Sequence, residues 1–132
     1  MAQCERPSTK ELWKKINQAR EVFTARGFRP VDPSKLAANF TTLNLFSSQE
    51  QSDALLAALQ EITPQNYSGA RPPDKSYEVE VRGDDLFAFA WTSNYFGRRM
   101  YFKFCLHADG EGNHSLCVAS LHKENIGKKK GP

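Results

Sequence analysis

Residues 91–123 read WTSNYFGRRMYFKFCLH (91–107), ADGEGN (108–113) and HSLCVASLHK (114–123). In the first run Tyr101, Lys103, Cys105 and His107 alternate with Phe102, Phe104 and Leu106. A period of two puts the apolar set on one side of a strand and the polar set on the other. Asp109-Gly110 and Gly112-Asn113 supply the positive backbone angles that a hairpin end requires. The third run is apolar until Ser120, Leu121, His122 and Lys123. The stretch therefore predicts a long hairpin with basic and aromatic side chains along one rim. Its register is open. Pairing about Glu111 sets Tyr101 opposite Leu121 with Lys123 on the same face, and a one-residue slip brings His122 there instead.

Outward from the hairpin, Leu86–Trp91 is apolar on both sides, as a central strand is. Tyr77, Val79 and Val81 alternate with Glu78, Glu80 and Arg82, which predicts a strand with one wet face. Residues 64–75 hold Pro64, Gly69, Pro72 and Pro73 and read as a loop that carries Tyr67, Arg71 and Lys75.

The N-terminal half has helical spacing. Ser8 and Glu11 have the capping-box pattern, and Leu12, Ile16, Ala19 and Phe23 recur as one stripe before Gly27. A helix over about 9–26 follows. Asp32-Pro33 starts a short helix over about 33–39, and Phe40–Phe46 reads as a connector or short strand. Ser47 or Ser48, with Glu50 or Gln51, caps a helix whose stripe is Ala54, Leu55, Ala58, Leu59 and Ile62, and Thr63-Pro64 ends it. Helices first and strands after predict an α+β fold: N-terminal helices on one face of a four-stranded, mainly antiparallel sheet. The division is a single domain over 1–132, with a helical layer over 1–62, a sheet over 76–123 and a basic tail over 124–132.

The composition, 39% apolar and 25% charged, is that of a globular chain. No apolar run is long enough for a membrane span, and residues 1–7 lack the apolar core of a secretion signal. Cys4, Cys105 and Cys117 are odd in number, and the last two read as small core residues of a protein in a reducing, cytoplasmic compartment. Residues 91–132 hold seven Lys and Arg against three Asp and Glu, whereas residues 1–90 hold eleven against twelve. The positive charge belongs to the hairpin and tail, where a polyanion is the natural partner. The scattered His and Cys show no zinc spacing, and no glycine-rich phosphate loop or serine elbow occurs.

Two segments carry a resemblance: Met100-Tyr101-Phe102-Lys103-Phe104-Cys105-Leu106, and Cys117 to Glu124 with its ending Ser120-Leu121-His122-Lys123-Glu124. Glu61 to Ser68 adds a helix end and loop of similar type. Over about residues 50–124 the chain resembles the RelE-like superfamily of bacterial toxin ribonucleases, in its MqsR-like branch. The resemblance implies a two-layer sandwich, an mRNA-cleaving toxin, an antitoxin protein that restrains it, and the ribosome as a further partner. No cofactor and no metal are expected. It places the catalytic groups at Tyr101 and at His122 or Lys123. Ser68 and Gly69 stand where the branch has a loop Lys, so Arg71 or Lys75 would supply that charge, and residues 86–91 lack the branch's Gln.

The residue types suit metal-independent RNA cleavage. That reaction needs a base at the 2′-OH, an acid at the leaving 5′ oxygen and cations at the phosphate. His122 is the acid/base candidate, because imidazole titrates near neutrality. Tyr101 is placed to position phosphate or donate a proton. Arg98, Arg99 and Lys103, with Arg71, Lys75 and Tyr67 of the loop, are the candidate substrate-binding groups. The rival reading is a non-catalytic binding module, an inhibitor or immunity protein that uses the same rim to hold nucleic acid or an acidic protein.

Overall fold

The computed structural model of the protein describes residues 7–69, 74–75 and 84–124. Helix α1 is Thr9–Arg26, α2 is Pro33–Thr42 and α3 is Ser48–Glu61. The strands are β1 (Arg29–Pro30), β2 (Asp74–Lys75), β3 (Asp85–Ser93), β4 (Arg98–Ala108) and β5 (His114–Lys123). They form one sheet in the order β1-β5-β4-β3-β2. The layering is α+β, with helices ahead of a mainly antiparallel sheet, as the sequence predicts.

Local chemistry accounts for the helix ends. The Ser8 hydroxyl accepts from Glu11 N–H at 3.1 Å and the Glu11 carboxylate accepts from Ser8 N–H at 3.3 Å. Two N–H groups without a helical partner are thereby satisfied. Gly27, at φ 78°, ends α1 and donates to the Phe23 carbonyl. Asp32 caps α2 through Ser34 and Lys35 N–H, and Ser47 and Glu50 form the box of α3. Helix α2 runs past the expected residue 39 to Thr42, so the segment 40–46 is a helix end and a turn rather than a strand. Asn44 takes φ 62° there, and Leu45 N–H reaches back to the Phe40 carbonyl at 2.8 Å.

The core is the alternating apolar set of the sheet against the helix stripes. Phe87, Phe89 and Trp91 of β3, Met100, Phe102 and Phe104 of β4, and Leu116, Val118 and Leu121 of β5 are buried. They meet Leu12, Ile16, Leu36, Phe40, Leu55 and Leu59 of the helices in one cluster. Burying a large apolar side chain contributes about 1.5–3 kcal/mol, so this cluster is the main stabilising term.

Two features lay beyond the sequence pattern. Strand β1 is parallel to β5, with Arg29 opposite Cys117 and Pro30 opposite Val118. The hairpin register is split. From the turn to Phe104↔Val118 it pairs about Glu111, and beyond a bulge it is shifted, with Lys103↔Ser120, Phe102↔Leu121 and Tyr101↔His122. The predicted strand over 77–82 lies outside the described residues. Among the described residues, no helix is long and apolar enough to cross a membrane.

Candidate functional site

The bulge decides which side chains share a face. Phe102 and Leu121 are opposite each other and point into the core, so their neighbours Tyr101 and His122 point away from the helices. Their rings stack at 5.1 Å between centroids with 24° between planes. The Lys103 ammonium lies 5.9 Å from the Tyr101 ring centroid. Tyr101, Lys103 and His122 are half-buried, and Ala88, Ala90 and Ser120 are buried.

His122 is oriented by the backbone. Its Nδ1 lies 2.7 Å from the Lys123 carbonyl oxygen. A carbonyl only accepts, so Nδ1 carries the hydrogen and Nε2 holds the lone pair in the neutral ring. Arg99 also belongs to this outer face. It is opposite Thr92, bonds Thr92 Oγ1 at 3.3 Å and pairs with Glu124 at 2.8 Å. A further pair lies toward the hairpin end, where His107 Nδ1 meets Asp84 Oδ2 at 2.6 Å.

The other candidates are elsewhere. Lys123 is opposite Met100, a core residue, and so lies on the helix side of the sheet. Of the two alternatives His122 and Lys123, the register puts His122 beside Tyr101. Arg98 is opposite Ser93, whose hydroxyl bonds Glu61 at the end of α3, and it too lies on the helix side. Tyr67 is buried. It bridges Phe89 and packs its ring edge-on against that phenyl at 5.8 Å, away from Tyr101. Strand β2 contains Lys75, opposite Asp85, and Arg71 lies outside the described residues.

Glu61 is a structural residue that the sequence reading passes over. Its carboxylate accepts from Trp91 Nε1 (2.8 Å), Ser93 Oγ (2.6 Å), Asn94 N–H (3.1 Å) and Tyr95 N–H (3.0 Å). Burial pushes this carboxyl up, but the bonds from Ser93, Trp91, Tyr95 and Asn94 outweigh it and hold the group below its ordinary value. The β3–β4 turn, which starts β4 and aims Arg99 and Tyr101, is thus tied to α3. The only sequence signal was an acid in the last turn of a helix, a position that the helix dipole disfavours.

Comparison with family models, with curated proteins and with solved structures found no match. The reading of function therefore rests on the residues and their geometry.

Proposed function

We propose that the protein is a metal-independent endoribonuclease that cleaves messenger RNA, acting as the toxin of a type II toxin–antitoxin pair in the cytoplasm. The observation that carries this reading is the Tyr101–His122 pair, with His122 Nδ1 tied to a carbonyl and Nε2 left as the basic atom. In the proposed reaction Nε2 takes the proton from a ribose 2′-OH and the freed oxygen attacks the adjacent phosphorus. The bond to the 5′ oxygen breaks, and the Tyr101 hydroxyl gives that oxygen a proton. Lys103 offsets the charge that grows on the phosphate. Proton transfer by a positioned side chain contributes ~10²–10⁴-fold. Interaction with a second protein, the antitoxin, and with the ribosome belongs to the same proposal.

A second reading has its own support. Lys123 and Arg98 lie on the helix side, and Arg99 is paired with Glu124. The outer face then has Lys103 beside two stacked rings, a set that suits holding RNA without cutting it. Expression in bacteria separates the two. The nuclease reading expects growth arrest by the parent chain and its relief by Tyr101→Phe and by His122→Ala. Arrest that persists in both variants contradicts the assigned site, and a harmless parent favours the binding module.

A further inference from the structure

We propose that Cys105 and Cys117 are an oxidisable dithiol, which a peroxide closes into a cross-strand disulfide between β4 and β5. The two residues are direct partners in the hairpin ladder, and both thiols are free. Opposed residues of an antiparallel pair have Cα atoms ~4.5–5.5 Å apart, inside the ~4.4–6.8 Å span that a disulfide bridges. The register thus holds the two cysteines within the span of a disulfide. The pair lies on the outer face, four residues along β4 from Tyr101, and forms its own small cluster with Val31 and Leu86. Both thiols are buried, which favours a small oxidant.

The two sulfurs are not equivalent. Arg29 of β1 is opposite Cys117, on the far side from Cys105. A hydrogen bond from Cys105 to its sulfur, then the Arg29 guanidinium, pull the Cys117 thiol down against the effect of burial. The same hydrogen bond, and then burial, push Cys105 up. Among the described residues, His107 also favours a Cys117 thiolate and Asp84 disfavours one at Cys105. Cys117 is thus the attacking sulfur and Cys105 the resolving one.

In the reaction the Cys117 thiolate attacks one peroxide oxygen and the O–O bond breaks. A sulfenic acid forms on Cys117, and the leaving oxygen takes a proton and departs as water. Cys105, having lost its proton, attacks the Cys117 sulfur, and the S–O bond breaks to release a second water. Two thiols lose two electrons and the peroxide gains them. The chemistry is independent of any action on RNA.

The test uses the full chain carrying Cys4→Ser, so that only the two strand thiols report. The folded protein is treated with hydrogen peroxide, unfolded, alkylated and read by mass spectrometry. The expected result is a loss of two hydrogens, no alkylation at Cys105 or Cys117, and recovery of both thiols after dithiothreitol. In a Cys105→Ala background, dimedone labels Cys117, whereas in Cys117→Ala the remaining thiol oxidises about tenfold more slowly. Full alkylation of both cysteines after peroxide overturns the proposal, and that reading needs neither alanine variant to fold. Equal oxidation rates in the two alanine variants overturn the assignment of Cys117 as attacker.

Discussion

Glu61 shows how one side chain sets the geometry of a distant strand. Hydrogen bonds to a charged group contribute about 1.5–3 kcal/mol each and are not additive. Glu61→Ala removes the acceptor of four donors, and chemical denaturation is expected to show a loss of about 2–4 kcal/mol. The carboxyl titrates lower in the folded chain than its unfolded value of about 4.3. Its contribution is therefore full above that pH and disappears as the pH falls through the lower, folded value. Urea midpoints of the parent and of Glu61→Gln, measured from pH 7 downward, are expected to converge in acid. A constant gap between them contradicts the role of the charge. Its partners lie 30–34 residues away, so the sequence around Glu61 names none of them. His122 differs, since an imidazole at a strand end is visible in the sequence itself.

At the scale of elements, the hairpin shows two sequence signals in competition. The turn at 109–113 sets pairing about Glu111, and extending that register would put Leu121 on the outer face and His122 in the core. The bulge after Val118 reverses this. Burying Leu121 is worth about 1.5–3 kcal/mol, which exceeds the roughly 1 kcal/mol of a lost ladder hydrogen bond. Leu121→Ala is expected to cost about 2–5 kcal/mol in urea denaturation. Helix α2 supports the same segment, where the Asn39 side-chain oxygen accepts from Leu121 N–H at 2.9 Å. Asn39→Ala leaves that donor without a partner and is expected to cost about 1–3 kcal/mol in the same assay. The caps of all three helices and the outline of β3, β4 and β5 were legible, because each signal is local. Strand β1 was not, since two residues carry no period and its place depends on β5. Tyr67 read as a loop group for the same reason: its bridge to Phe89 and its burial place it in the core.

For the whole molecule, the sheet divides the basic groups of β4 and β5, with Tyr101, between its two sides. Tyr101, Lys103, His122 and Arg99 lie on the outer side, and Arg98 and Lys123 on the helix side. The sequence leaves His122 and Lys123 as alternatives for the face of Tyr101, because a bulge cannot be located from composition. Lys103→Gln is expected to weaken binding of single-stranded RNA about equally across sequences. It is also expected to lower the slope of log affinity against log salt by about 0.7, one phosphate contact. An unchanged slope would remove Lys103 from the contact surface. The most direct measurement of the central proposal is incubation of the purified protein with RNA in the presence of a metal chelator, with the ends of the fragments analysed. Attack by a 2′-OH predicts fragments with 5′-hydroxyl and cyclic phosphate ends, formed at least ~100-fold more slowly by His122→Ala. Intact RNA with the parent protein, or equal cleavage by the variant, contradicts it.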